Sequence, residues 1–348
     1  MRYQTSMDMD GYQYDTVNYT YDYGQLDEEP VLKHQSTCFR ETLCVSLLIV
    51  NLLIFLLGFF GNALVIWIAG FRMKKSVNTT WYLSLAISDF IFCACLPISI
   101  ANMVMDEWVF GLFMCKVTSS VMFVNMFGSI FLLVIISADR CVSVMFPVWA
   151  QNHRSVKMAS VVVGVAWVLS VSLSVPSAIY RQVGIRFGQT ICFNSYPPHG
   201  HQTVAITRFL AGFLGPFLII IVCYSVIILK LRNNKMAKSS KPFKVMTALV
   251  AAFFSCWLPY HVFVLLELNL HTGNHTVLVT GLQVGTSVAA ANSFLNPVLY
   301  VFMGNDFRQT FRSSLLRKME NAMGEEGRTT SRYLSRSSSM DMRASTHI

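Results

Sequence analysis

Residues 115–141 read CKVTSSVMFVNMFGSIFLLVIISADRC. Twenty-five residues separate Cys115 from Arg140. As a helix that is about 37 Å, against a hydrocarbon core of about 30 Å. The cysteine is therefore expected near one membrane face and Asp139-Arg140 near the other. The residues between are almost all apolar. Asn125 and Ser129 are exceptions, one helical turn apart on one face. A charged pair at the end of a spanning helix is costly without a partner or a task.

The rest of the chain agrees with a membrane reading. Charged residues make up 13% and the mean hydropathy is +0.50, whereas a soluble domain carries about 25% charged residues. The net charge of +9 does not indicate a nucleic-acid partner, because its distribution is asymmetric. Asp8, Asp10, Asp15, Asp22, Asp27, Glu28 and Glu29 crowd the first thirty residues, while Lys and Arg crowd short loops and the tail. Such asymmetry is a topology signal. Residues 1–40 hold no apolar signal-peptide core, so the first span is expected to direct insertion.

Seven apolar segments are expected to span, at about 43–70, 79–104, 112–145, 157–179, 203–230, 243–268 and 277–302. The fold class is an all-α, seven-helix membrane bundle. Arg72, Lys74, Lys75, Arg154, Lys157 and the Lys-rich 5–6 connection mark the cytoplasmic loops. The N-terminus is then extracellular. Residues 1–42 read as a disordered acidic arm with a glycosylation sequon at Asn18. Asn274 begins a second usable sequon. Asn78 begins a third, which falls inside the cell. The helical bundle is placed at 43–304. Over 305–318, Phe307, Phe311, Leu315 and Leu316 recur beside Arg308, Arg312, Arg317 and Lys318, as in an amphipathic helix on membrane lipids. Residues 319–348 read as a disordered Ser/Thr-rich tail. Of nine cysteines, Cys38, Cys115 and Cys192 fall in outer segments, where disulfides persist. The expected pair is Cys115–Cys192, with Cys38 left without an assigned partner.

Four features carry chemistry. Asp89 is a carboxylate within the second span. With Asn62, Asn125, Ser129, Asn292 and Asn296 it reads equally as a sodium site or as a polar knot between helices. Pro259, beside Trp257, and Pro297, ahead of Tyr300, place kinks next to large side chains, a plausible bistable arrangement. Pro97 and Pro176 read as static geometry. Arg208 lies in the fifth span and Glu267 at the outer end of the sixth. The arginine needs an anion, either Glu267 or a ligand carboxylate, and the residues alone favour the internal pair. Asp139-Arg140 is the fourth. His271 and His275 flank Gly273 in a loop, which argues against a shared metal. No Walker loop, His-Glu-x-x-His or Gly-x-Ser-x-Gly appears, so no enzyme is expected.

Asn62, Asp89, Cys115 with Asp139-Arg140-Cys141, Trp167, Pro216 with Tyr224, Cys256-Trp257-Leu258-Pro259 and Asn296-Pro297-Val298-Leu299-Tyr300 occur in order over seven spans. The set resembles rhodopsin-like (class A) G-protein-coupled receptors. Asp139-Arg140-Cys141-Val142-Ser143-Val144 and Pro147-Val148-Trp149-Ala150-Gln151-Asn152-His153-Arg154 resemble the chemoattractant branch, both chemerin and formyl-peptide receptors. Lys241-Pro242-Phe243-Lys244, Pro259-Tyr260-His261 and Leu265-Leu266-Glu267-Leu268 are more similar to the chemerin receptors. Formyl-peptide receptors carry an aspartate in span three and two arginines in span five. Phe123, Val204 and Arg208 stand at those positions here.

The resemblance implies a plasma-membrane receptor for chemerin or a related peptide, activating an inhibitory-class heterotrimeric G protein. It reverses the order for Arg208, which would hold the peptide's carboxyl end, with Glu267, Arg181, Phe123 and Asn102 lining the pocket. It implies a sodium ion at Asp89, Asn125, Ser129, Asn292 and Asn296, and a switch of Trp257, Phe253, Pro259, Pro297 and Tyr300. Asp139 and Arg140 would pair at rest and part on activation, when Arg140 and Tyr224 help form the G-protein cavity. Receptor kinases and arrestin would act on Thr329, Thr330, Ser331, Ser335, Ser337, Ser338 and Ser339. Tyr14 and Tyr21 are sulfation candidates. No cysteine follows Cys256, which excludes tail palmitoylation. The alternatives are a receptor for a formyl-type or other chemotactic peptide or a lipid mediator, and a non-signalling decoy. A transporter or channel is disfavoured by the few buried charges and the absence of internal repeats.

Overall fold

The computed structural model describes residues 41–186, 188–233, 241–269 and 275–303. The expected helix over 305–318, the sequons at Asn18 and Asn274, Cys38, the sulfation candidates and the tail phosphosites lie outside these residues.

Seven long apolar stretches form the bundle, each within a few residues of its expected bounds. α1 spans Thr42–Trp67 and runs into a π turn at Ile68–Arg72; α2 is Val77–Met105 and α3 is Gly111–Met145. A short helix, α4 (Pro147–His153), precedes α5 (Val156–Tyr180). A hairpin of β1 (Arg181–Arg186) and β2 (Gln189–Asn194) follows. α6 (Gly200–Phe209), a π turn at Leu210–Leu214 and α7 (Gly215–Asn233) make the fifth span; α8 (Lys241–Asn269) and α9 (His275–Met303) complete the set. Hydropathy alone does not foresee α4, the hairpin or the π turns.

Local chemistry sets several boundaries. Ser76 and Thr79 form a reciprocal capping box: Thr79 N–H donates to Ser76 Oγ at 3.1 Å and Ser76 N–H to Thr79 Oγ1 at 2.7 Å. Such a cap contributes about 1 kcal/mol. Pro147 opens α4, where its missing N–H costs nothing. Ser155 caps α5 by accepting from Met158 N–H at 3.2 Å. Lys116 Nζ donates to the Ala178 carbonyl at 2.7 Å, placing a cation at the C-terminal end of α5. In the fifth span the Gly215 N–H bonds to the Leu210 carbonyl, five residues back. A β carbon at Gly215 would lie 2.8 Å from that oxygen, so this turn requires glycine just before Pro216.

α3 is the central element. Of its most apolar window 61% is buried, against 22% for the first, fourth and fifth spans. Phe123, Met126, Phe127, Ile130 and Leu133 of α3 pack with Phe253 and Trp257 of α8 in one core cluster. Amides stitch the bundle where no water competes. Asn51 Nδ2 donates to Ser287 Oγ at 2.9 Å, and Asn62 Nδ2 to the Ser293 carbonyl at 2.8 Å, both joining α1 to α9. Trp167 Nε1 donates to Ser84 Oγ at 3.0 Å, joining α5 to α2.

α8 and α9 pack closely beside Pro259. A β carbon on Gly285 would lie 3.0 Å from the Tyr260 N and Cα and 3.2 Å from the Pro259 carbonyl carbon. Packed carbons prefer about 3.5–4.0 Å, and backbone cannot rotate aside. Gly285→Val is therefore expected to destabilise the receptor by about 1–3 kcal/mol. The check is a lower thermal-shift midpoint of detergent-solubilised protein. Gly164→Val is the control, since nothing lies within 4 Å of its added carbon.

Candidate functional site

The outer part of the bundle holds two arginines. Arg208 sits on α6, just before the π turn, and is only 7% exposed. Its Nη2 donates to Ser177 Oγ of α5 at 2.8 Å. Its guanidinium carbon lies 3.6 Å from the centroid of the Phe123 ring of α3, within cation–π range. Its buried Nε has no hydrogen-bond partner. Arg181, the first residue of β1, also has a buried Nε without a partner. Burial pushes the Arg181 guanidinium below its ordinary value, Tyr196 and Tyr260 oppose that, and the charge of Arg208 adds to it. The two cations thus lie within electrostatic reach of each other, with Tyr260 near both and His261 near Arg208.

Glu267 does not neutralise Arg208. Its carboxylate lies 3.5 Å from His201 Nε2, and both side chains are partly exposed. Among the described residues Arg208 has no carboxylate partner. The internal pair favoured by residue types alone is therefore not formed. Asn102 is half-buried near the outer end of α2 and makes no side-chain hydrogen bond to either arginine.

The hairpin positions Arg181. Arg181 pairs with Asn194 and Val183 with Cys192. Cys192 is disulfide-bonded to Cys115 at the outer end of α3, as expected. Trp108 N–H donates to the Thr190 carbonyl at 2.8 Å and Ser195 N–H to the Tyr180 carbonyl at 2.8 Å, tying the hairpin at both sides. Cys44 is also disulfide-bonded. Cys93, Cys95, Cys141, Cys223 and Cys256 are free thiols.

An aromatic chain runs inward from Arg208. Phe123 lies 6.2 Å from Tyr260, Tyr260 5.8 Å from Trp257, and Trp257 6.0 Å from Phe253, centroid to centroid. Trp257 and Phe253 are fully buried, and Trp257 Nε1 lacks a partner. A shift at the arginine therefore has a packed route to the turn of α8 that holds Pro259. Pro297 lies within α9 against Gly61 of α1. Tyr300 falls in the same helix, its side chain outside the description.

Below Trp257 lies the acid of the second span. Asp89 Oδ1 accepts from Asn125 Nδ2 at 2.8 Å and Oδ2 from Asn296 Nδ2 at 2.6 Å. Ser293 Oγ donates to Asn125 Oδ1 at 3.3 Å, and Asn125 Nδ2 also reaches Ser88 Oγ at 3.2 Å. Ser129 Oγ and Asn62 Oδ1 are buried oxygens without a partner. Asn292, the residue before Ser293 on α9, is also buried. A carboxylate among neutral oxygens, two of them unsatisfied, fits a hard monovalent cation. Ser293 and Ser88 are members that hydropathy hides, since a serine in a span looks like packing.

At the cytoplasmic end the structure departs from the sequence reading. Asp139 pairs with Arg154 and not with its neighbour Arg140. Arg154 Nε donates to Oδ1 at 2.7 Å and Nη2 to Oδ2 at 2.9 Å. Arg140 Nη2 donates to Asn78 Oδ1 at 3.0 Å, an oxygen that Arg154 Nη2 also reaches at 2.7 Å. The side chain of Asn78 is thus spent on two arginines. Tyr224 lies within electrostatic reach of Arg140.

With this geometry in place, comparison with known proteins is direct. A family profile described as 7 transmembrane receptor (rhodopsin family) matches residues 61–300. Chemerin-like receptor 1 of Homo sapiens is 44% identical over 321 residues, covering 86% of each chain. Formyl peptide receptor 2 of Mus musculus is 41% identical over 326 residues, covering 88% of this chain and 93% of its own. A C3a anaphylatoxin chemotactic receptor of Danio rerio is 43% identical over 290 residues, covering 82% and 79%.

Proposed function

Because this chain belongs to the rhodopsin family of seven-transmembrane receptors, we propose that it is a chemerin receptor coupling to inhibitory-class G proteins in chemotaxis and inflammatory regulation. It is a multi-pass plasma-membrane receptor of the chemoattractant type and not an enzyme. The observation that carries the ligand proposal is Arg208: a buried cation within a span, resting on a hydroxyl and a ring, with no carboxylate of its own. A peptide's terminal carboxylate supplies that charge, and the Arg208 fork can take both its oxygens. Arg181 adds a second positive group, Glu267 a negative one at the mouth for a basic side chain, and Phe123 and Asn102 line the walls. The acidic arm speeds encounter with a basic protein.

Binding works only through its preference for one state of the bundle. Closure on the carboxylate presses the ring chain toward Trp257 and Phe253, and the kinks at Pro259 and Pro297 let α8 and α9 move. The cytoplasmic cavity then offers Arg140, Tyr224 and Tyr300 to the G protein. Phosphates on Thr329, Thr330, Ser335, Ser337, Ser338 and Ser339 recruit arrestin by their charge, and glycans sit on Asn18 and Asn274.

The deciding experiment is G-protein dissociation in transfected cells, with chemerin and formyl peptides side by side. Chemerin is expected to activate. No response to saturating chemerin at good surface expression sinks the ligand assignment, and a response to formyl peptide or a lipid mediator alone replaces it. Chemerin binding without dissociation of any G protein identifies a decoy.

Sodium is proposed at the Asp89 layer, held by Asp89 and Ser129 with Asn125, Asn292 and Asn296 about them. It supplies a positive charge that favours the resting packing. Raising NaCl at constant ionic strength is then expected to lower agonist affinity in wild type and to leave Asp89→Asn unaffected. A wild-type affinity indifferent to sodium against a choline control removes the ion and leaves a polar knot.

A further inference from the structure

The residue next to Arg140 is an aspartate, yet the aspartate is occupied. Arg154 grips both oxygens of Asp139 in a two-pronged fork, the strongest form of carboxylate pairing. Arg140 is left with one neutral acceptor, Asn78 Oδ1, which it shares with Arg154. Its Nε is buried without a partner. The guanidinium assigned to G-protein contact is thus held by half an amide oxygen, while the carboxylate beside it is engaged elsewhere.

We propose that Arg154 is a positioning residue for coupling: by occupying Asp139 it keeps Arg140 out of an ion pair and available to the G protein. The inference rests on the coupling role proposed above for Arg140. The local fold supports it. Arg154 follows the last residue of α4, and Ser155 caps α5, so two helix ends fix its backbone. Its side chain is not locked in. The Arg154 side chain is 29% exposed, beside an open cleft of about 200 Å³ bounded by Trp81, Ile135, Asp139, Trp149, Arg154 and Val162, so its guanidinium can leave the pair for solvent. When Arg154 leaves, Asp139 is released to the cation beside it in the chain. Loop and helix then act as a selector: a carboxylate with two claimants one helix apart, of which only one is wanted by the G protein.

The test measures basal nucleotide exchange on a purified inhibitory-class G protein, using membranes that carry the full-length receptor at matched surface levels. Basal exchange needs no agonist, so it does not depend on the ligand assignment. Arg154→Gln frees Asp139 and is expected to lower basal exchange at least about fivefold, the lower end of coupling between sites in switching proteins. Adding Asp139→Asn removes the competing carboxylate and is expected to restore exchange to the wild-type value or above. Asn78→Ala loosens Arg140 while sparing the Asp139–Arg154 fork, and is expected to raise exchange. Should Arg154→Gln fail to reach the surface, Arg154→Lys keeps the charge, loses the fork and is expected to move exchange in the same direction by less.

Unchanged exchange in both Arg154 variants overturns the proposal. So does a double variant as weak as Arg154→Gln alone, since Arg154 would then act on the G protein or on the loop and not through Asp139. A wild-type receptor that drives exchange on no class of G protein overturns the coupling role itself, and the present inference with it.

Discussion

Arg208→Ala is expected to abolish the agonist response while leaving the receptor at the cell surface. The side chain is 7% exposed and holds its charge against a hydroxyl and a ring face. A ligand carboxylate docked there forms a desolvated pair, and truncating one member of such a pair costs about 2–5 kcal/mol, or about 30- to 5,000-fold in affinity. Alanine leaves the ligand's carboxylate buried without a counter-charge. The fold gains by the same change, because an unpaired intramembrane cation is removed. Loss of response with intact surface staining is therefore the signature. Arg208→Lys keeps the charge without the fork and is expected to fall between the two. A wild-type dose–response curve in Arg208→Ala would make the arginine structural.

Cys115→Ser is expected to remove both surface receptor and response. The Cys115–Cys192 bond closes a loop of 77 residues, worth about 4.5 kcal/mol in the chain-entropy account. Its larger consequence is geometric. The hairpin register places Arg181 two pairs from Cys192, so the second arginine of the pocket is held by the bond. Any Cys115→Ser receptor that does reach the surface is expected to respond more weakly than Arg181→Ala, because the whole hairpin is freed. Cys192→Ser should match it. Normal expression and potency in either variant would show that the hairpin stays in place through its two backbone tethers alone.

The seven spans were legible because a bilayer demands long uninterrupted apolar helices, and their bounds follow from that length. Asp89 and Arg208 stood out for the same reason, as charges where charges are rare. What the sequence hid were partners chosen by folding. Arg154 lies 15 residues beyond Asp139, across a short helix that hydropathy does not register, whereas Arg140 is adjacent in the chain. Adjacency does not decide the pairing, because the fold brings Arg154 to the carboxylate with a two-pronged fork. Ser177 and Ser293 were unremarkable small residues until neighbouring helices aimed polar groups at them. Glu267 was eligible for Arg208 by charge and span end, and went to His201 because the two share the rim.

The two amide tethers between α1 and α9 also bear on how the receptor is made. Asn51 and Asn62 enter the bilayer with the first span, but their partners at Ser287 and Ser293 lie 236 and 231 residues later in the chain. Until the ribosome has delivered the seventh span, each amide has only the carbonyl one turn back in α1, of Leu47 or Gly58, and its second N–H goes unfilled in a solvent that offers no acceptor. The nascent first helix thus has reason to be retained beside the insertion machinery, or by a membrane chaperone, for most of translation. A chain that stops before Ser287 never completes those two tethers.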